Sequence, residues 1–414
     1  MTFRIITLGC KVNFYESEAL RERLLRKGYS ESPDAADLFF VNTCAVTAEA
    51  EKKDLQKVRD IARDYPKAKI AVMGCSSQIH KEKFLAIKGV EAVIGNSHKT
   101  EIEDLLLRKE KDSVDADSRH FSFEESPIEE GAKTVRAYLK VQDGCDNFCS
   151  YCVVPFTRGN SRSRSHVAVI EEARCLLRNG FRELVIGGID TGSYQDPEIP
   201  GYDLTHLLAD MLSLSSEPYR IRVSSIEATQ VREDYLSLFE KNPEKLCPHF
   251  HLPLQSGSEK ILRAMNRKYS REEFLTLVGE IRRRIPHAAL STDVITGFPG
   301  ESEEDFQETL DLCEKAQFMR IHAFPYSERP KTMASALKEK VPMPLRLARV
   351  RKLIALSQIQ EKEYRKSLAG TPSLVLIEEK KKDGLYSGYS QYYLTEEVSS
   401  EKDILGTFVR FPLI

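Results

Sequence analysis

Over the first hundred residues, short apolar runs alternate with longer stretches whose apolar residues recur every three or four positions among charged ones. FRIITLG, DLFFVNT and KIAVMG have the length and composition of strands, while ESEALRERLLRKG and EAEKKDLQKVRDIARDY have the period of amphipathic helices. Strands alternating with helices of this length predict an open parallel α/β sheet with crossover helices, here over residues 1–108. Each of the three strands ends at a cysteine: Cys10 follows residues 5–9, Cys44 follows 38–43 and Cys75 follows 70–74. Three such cysteines would gather at the carboxyl edge of the sheet, where open α/β folds place their ligands.

The pattern lapses over residues 109–132, which are rich in charge and poor in apolar periodicity, and a linker is expected there. A second α/β series fills residues 133–366. Its strand candidates are VRAYLKVQDG, ELVIGGID, RIRVSSIE, HFHLPLQ, ALSTDVITGF and RIHAFPYS, separated by helical stretches such as HVAVIEEARCLLRNG. Six strand–helix pairs predict a partial (β/α)6 barrel with its functional residues at the C-terminal ends of the strands. Residues 367–414 contain SLVLIEE, GLYSGYS, QYYLTEE and GTFVRF, short strands that predict a small all-β barrel. The fold class is therefore α/β with a small β appendage.

Charge changes little in this picture. With 61 basic and 63 acidic residues, contact with a polyanion must rest on a local patch rather than on the overall field. No apolar run reaches the ~18 residues of a membrane span, and MTFRIITLGCKVN lacks the form of a signal peptide, so a cytoplasmic location is expected. In a reducing cytosol, nine widely spread cysteines read as metal ligands, catalytic groups or small buried residues rather than as a disulfide frame.

Spacing decides among these for Cys145-Asp-Asn-Phe-Cys149-Ser-Tyr-Cys152, a C-x3-C-x2-C triplet just after a strand. Three thiolates in one loop can bind three irons of a cubic four-iron cluster and leave the fourth iron open to a small chelating molecule. A structural zinc site would ask for a fourth Cys or His, and none stands nearby. Cys175, Cys247 and Cys313 fit no such set and read as structural.

The triplet, with aromatic Tyr151 before its last cysteine, resembles the signature of the radical S-adenosylmethionine (SAM) superfamily. Together with Cys10 in TLGCKVN, Cys44 in VNTCAV and Cys75 in VMGCSSQ, the whole chain resembles the methylthiotransferases. That resemblance implies two [4Fe-4S] clusters, one on Cys145, Cys149 and Cys152 and an auxiliary one on Cys10, Cys44 and Cys75, with SAM bound at the first. It also implies SAM contacts from Tyr151, from Gly187, Gly188, Asp190 and Ser193 in VIGGIDTGSY, and from Ser225 and Glu227 in RVSSIE. Gln255 and Ser256 in HLPLQSGS, and Gly297 and Phe298 in DVITGFPGE, complete that set. The polar groups and glycines suit close approach to a charged cofactor.

Arg158, Arg162 and Arg164 are expected to contact RNA phosphates; Arg346, Arg349, Arg351, Lys352, Arg365 and Lys366 read either as a second such surface or as a solvated helix face. The C-terminal piece resembles a TRAM domain, an RNA-binding β-barrel, yet carries six Lys or Arg against seven Asp or Glu from Lys366 onward. TLGCKVN, HLPLQSGSEKILRAMNRKYS and FPYSERPKT resemble the branch that adds a methylthio group to C2 of N6-threonylcarbamoyladenosine at position 37 of tRNA. A sister branch uses N6-isopentenyladenosine and a third modifies a ribosomal-protein aspartate. The resemblance further implies a flavodoxin- or ferredoxin-type electron donor. The competing class is a noncatalytic RNA-binding iron–sulfur protein, which would not cleave SAM.

Overall fold

The computed structural model describes residues 1–108, 111–115, 117–129 and 135–412. In the N-terminal unit, β1 (Thr2–Thr7), β2 (Leu38–Thr43), β3 (Lys69–Gly74) and β4 (Val90–Ile94) form a parallel sheet flanked by the two-residue strands Ser30–Glu31 and Asp112–Ser113. The order across the sheet is Ser30–Glu31, β1, β2, β3, β4, Asp112–Ser113. The chain thus runs from β1 first to one side and then to the other, and the crevice at the carboxyl ends of β1 and β2 is a switch point of the kind that binds ligands. Every residue of β2 is buried because both faces are covered. Phe40 packs with Phe3 and Leu20 on one face, and Phe39 and Val41 pack with Val58 and Ile61 on the other. The crossover helices are α1 (Lys11–Arg26), α2 (Ala48–Asp64) and α3 (Cys75–Leu85).

The second series closes into the expected partial barrel. β5 (Arg136–Lys140), β6 (Glu183–Gly187) and β7 (Arg220–Val223) make one parallel sheet; β8 (His249–His251), β9 (Ala289–Thr296) and β10 (Arg320–Pro325) make another. A parallel bridge between Ile221 and Leu246 joins them, and Ile226 N donates to His251 O at 3.1 Å, so six strands follow one another in chain order. The C-terminal unit is a four-stranded antiparallel sheet, β11 (Pro372–Lys380), β12 (Leu385–Ser390), β13 (Thr395–Ser399) and β14 (Phe408–Pro412), in the order β13-β12-β11-β14. It docks on the base of the barrel, where Arg220 donates to the Leu374 and Tyr389 carbonyls at 2.7 and 2.8 Å and Arg222 to the Ser390 carbonyl at 3.0 Å.

The stretch expected as a linker is packed where it is described; residues 109–110, 116 and 130–132 of it lie outside the described residues. Asp112–Ser113 pairs with β4, Ser118 is buried with its hydroxyl on the Pro155 carbonyl, and Ile128 enters the barrel core. Its charges find partners across the two units, which periodicity along the chain does not reveal.

Candidate active site

The three N-terminal cysteines sit where the strand pattern puts them, at the carboxyl ends of β1, β2 and β3. Glycine precedes two of them for a steric reason. Gly9 and Gly74 have φ of +105° and +107°, and a Cβ on Gly9 would lie 2.7 Å from the Cys44 Cβ, while one on Gly74 would lie 2.5 Å from the Thr43 carbonyl oxygen. Cys10 caps the N-terminus of α1 and Cys75 opens α3, positions whose helix dipoles favour a bound anionic group. Burial pushes the Cys44 thiol up to about 12, and the nearby Cys75 and Cys10 push in the same direction. A metal bound at Cys44 would offset that cost and release its proton.

The second triad forms the loop after β5. Cys145 N donates to Gly159 O at 3.1 Å and Cys152 N to Cys149 O at 2.9 Å, folding the loop back on itself. Burial, with the neighbouring Cys149 thiol, lifts Cys152 to about 12. Arg267, nearly enclosed, places Nη1 at 3.3 Å from the Cys149 sulfur, pairs with Glu227 and donates to the Pro253 carbonyl at 2.9 Å. Among the described residues no three His, Cys, Asp or Glu side chains converge on a single-ion site. Three thiolates of a triad can each take one iron of a multi-iron group.

A cavity of about 260 Å³ adjoins Cys152 of the second triad and the segment that follows Cys44. It is lined by Val46 and Thr47, which follow Cys44, by Tyr151, Cys152, Val153 and Val154 of the second loop, and by Gln255, Asp293, Ile295 and Phe324 from the barrel strands. The N-terminal unit is held over this mouth by Ala48 N on the Ser327 hydroxyl at 2.9 Å and by a Glu51–Arg329 ion pair.

The residues expected at the SAM edge divide. Gly187 and Gly188 end β6 with no room for a side chain, since a Cβ on Gly188 would lie 2.7 Å from the Gln142 carbonyl. Asp190 accepts from Asn147 at 2.9 Å and Gln230 at 2.8 Å beside the Cys145 sulfur, and Ser193 bonds Ser161 at 2.9 Å, so both border the cluster loop. Ser225 and Glu227 follow β7, and Gln255 follows β8 with φ +67°. Tyr151 packs with Phe298 and Tyr326. Gly297, at φ +70°, stands at the end of β9 against Arg346, with its N–H on Glu301 at 2.6 Å. Ser256 is a correction: it is fully buried and its hydroxyl lies 3.4 Å from that of Thr309 on the outer helix, away from the mouth.

The basic residues need a larger correction. Arg158 and Arg164 are 1% and 2% exposed, paired with Glu16 and Asp143 and with Glu172, and Arg162 turns inward to Asp143 at 3.1 Å. Arg346 and Arg349 are buried too, on the Tyr326 carbonyl and on Glu301, and Arg365 is paired with Glu396. Only Arg351, Lys352 and Lys366 of those nine stand exposed. Arg267 and Phe324 escaped the sequence reading, because MNRKYS and HAFPYS carry no spacing that marks either.

The fold and the chain's relatives agree with this geometry. The structure of the radical SAM methyltransferase TsrM from Kitasatospora setae shares the fold, with a TM-score of 0.58 and 13% identity over 93% of this chain and 80% of that one. Residues 139–313 match the Radical SAM superfamily, and residues 2–95 match an uncharacterized protein family, UPF0004. The threonylcarbamoyladenosine tRNA methylthiotransferase MtaB of Bacillus subtilis is 34% identical over 99% of this chain and 92% of its own length. The chain belongs to the radical SAM methylthiotransferase family. A tRNA-2-methylthio-N(6)-dimethylallyladenosine synthase from Solibacter usitatus, 37% identical over 82% of this chain and 78% of its own length, lies in the same family. As a radical SAM methylthiotransferase the chain is an enzyme with iron–sulfur and SAM cofactors, and the noncatalytic reading falls away.

Proposed function

We propose that this methylthiotransferase adds a methylthio group to C2 of N6-threonylcarbamoyladenosine at position 37 of tRNA, using one [4Fe-4S] cluster on Cys145, Cys149 and Cys152 and a second on Cys10, Cys44 and Cys75. The observation that carries this reading is the shared cavity: the loop after Cys44 and the loop around Cys152 both line it. A sulfur held on one side and a SAM-derived radical on the other would meet a base placed between them. Bound in the two triads, the cofactors supply what side chains cannot, a carbon radical able to break the unactivated C2–H bond and a sulfur atom to replace the hydrogen.

The chain's own residues align and enclose. Val46, Val153, Ile295 and Phe324 give the cavity apolar walls suited to a flipped-out base, with Phe324 exposed for stacking. Asp190 and Ser193 border the cluster loop and Gln255 and Tyr151 line the cavity; these, with Gly187, Gly188, Ser225, Glu227, Gly297 and Phe298, are assigned to SAM. A flavodoxin- or ferredoxin-type protein is assigned as donor of the electron. No helix among the described residues is long and apolar enough to cross a membrane, and the cytoplasm, where tRNA resides, is the assigned compartment.

Methyl-labelled SAM and the reduced, cluster-loaded protein, given tRNA bearing either threonylcarbamoyl- or isopentenyladenosine, test the reading. Label on the first substrate alone supports it. Label on the second alone keeps the chemistry and moves the substrate to the sister branch, whose Solibacter relative is comparably similar.

A further inference from the structure

Arg158 stands between the two cysteine triads. It ends the short helix Val154–Arg158 that follows Cys152, and its side chain is 1% exposed. Every N–H of its guanidinium has a partner. Nε points at the Cys75 sulfur at 3.3 Å. Nη1 donates to Glu16 at 2.8 Å and Asp143 at 3.0 Å, and Nη2 to Asn13 at 2.8 Å and Glu16 at 3.2 Å. Asn13 and Glu16 lie three residues apart on α1 and so share a face. Asn13 also donates through Nδ2 to the Leu8 carbonyl at 2.8 Å and the Thr43 carbonyl at 3.0 Å, just ahead of Cys10 and Cys44. Asp143 in turn accepts from Gly144 N at 2.8 Å, next to Cys145.

One guanidinium thus reaches all three N-terminal strand ends and the root of the second cysteine loop. Its surroundings are cationic. Lys99, Lys140 and Arg162 share Glu16 and Asp143 with it, and Glu124 lies beside the lysines, giving four cations against three carboxylates before the Cys75 sulfur is counted. Asn96 adds a second donor to that sulfur, at 3.6 Å. Hydrogen bonds to ligand sulfurs, and net positive charge close by, raise the reduction potential of an iron–sulfur cluster because the reduced form is the more negative.

We propose that Arg158 is a positioning residue of the second cluster: it hydrogen-bonds the Cys75 ligand, holds the two triads in one frame, and raises that cluster's reduction potential. The inference rests on the two-triad reading above, and its test separates the two. In the full chain carrying C145A, C149A and C152A, iron and sulfide can load only the N-terminal triad, and the midpoint potential is read by electron paramagnetic resonance in a redox titration. Because R158Q alone would strand two buried carboxylates, it is made together with E16Q, and E16Q alone is its reference.

The expected result is at least a tenfold lower ratio of reduced to oxidised cluster at fixed potential, a negative shift of ~59 mV or more for a one-electron couple. R158K keeps the charge and loses the fork, and a smaller shift of the same sign is expected. An unchanged potential in R158Q/E16Q, with the cluster fully loaded, overturns the proposal. Should that double variant hold no cluster, R158K decides, and an unchanged potential there overturns it equally. A parent protein that loads no cluster on Cys10, Cys44 and Cys75 sinks the two-triad reading and this inference with it.

Discussion

Glu183 offers a prediction that follows from burial and charge alone. It begins β6, its side chain is 0% exposed, and it faces Arg220, Arg222 at 2.8 Å and Arg136 at 3.9 Å. Burial would raise its pKa, but Arg220 and Arg222 outweigh that and hold the carboxyl well below the usual carboxylate range. The same two arginines carry the backbone contacts that dock the C-terminal sheet. Glu183→Gln keeps the shape and leaves the two buried guanidinium groups only the more distant Glu378 as counter-charge, a change that costs about 3–5 kcal/mol. At ~2–4 °C per kcal/mol for a large domain, the melting temperature falls by about 6–20 °C.

The pH dependence of that loss follows from the sign of the shift. A carboxyl whose folded pKa is depressed stabilises the fold above its unfolded value of ~4.3, and the contribution is lost as pH falls below it. The difference between wild type and E183Q is therefore flat from about pH 6 to 8 and shrinks below about pH 4. Urea unfolding followed by circular dichroism across that range checks both parts. A loss under ~1 kcal/mol at neutral pH, or one that varies between pH 6 and 8, would refute the reasoning.

Three further outcomes are expected. Asp305 caps the helix Glu303–Ala316 and, against the opposing effect of burial, is held at about 2 by Lys260, the Ser302 backbone and Ser258; D305N should lose ~2 kcal/mol, an effect absent below pH ~2 and complete above pH ~4 in denaturant titrations. Gly297→Ala forces a Cβ to 2.3 Å from the Arg346 side chain at φ +70°, and a melting temperature lowered by the equivalent of ~2–3 kcal/mol is expected, with weaker SAM binding by equilibrium dialysis; unchanged stability contradicts the steric argument. Cys149→Ala should abolish 5′-deoxyadenosine formation from SAM, whereas Cys44→Ala should leave some cleavage and no methylthio product; RNA modification in either variant would break the division of labour between the triads.

Local order along the chain was legible where one residue type fixes one geometry. The apolar runs ending at Cys10, Cys44 and Cys75 became parallel strands with the cysteines on one edge, because alternation and strand length are local properties. The six barrel strands and the C-terminal sheet followed for the same reason. Burial of charge was not legible. RGNSRSR looks like a phosphate-binding stretch, but the carboxylates that claim its arginines, Glu16, Asp143 and Glu172, come from α1, the β5 end and the helix His166–Arg178, and nothing within the stretch announces them. Gln255 and Ser256 lie beyond the end of β8, where Gln255 turns at φ +67°; that turn, which the sequence does not show, leaves Gln255 on the cavity and Ser256 buried against Thr309. Arg267 was hidden for the opposite reason: it reaches the Cys149 sulfur across 118 residues of chain.

The central claim, methylthiolation of threonylcarbamoyladenosine in tRNA, is tested most directly in a bacterial strain lacking its own methylthiotransferases. The gene is expressed, the tRNA digested, and each modified adenosine followed by mass spectrometry. The account predicts a methylthio adduct on N6-threonylcarbamoyladenosine that disappears in Cys44→Ala and Cys149→Ala. An adduct confined to isopentenyladenosine, or none in cells shown to make both precursors and to load the clusters, would contradict it.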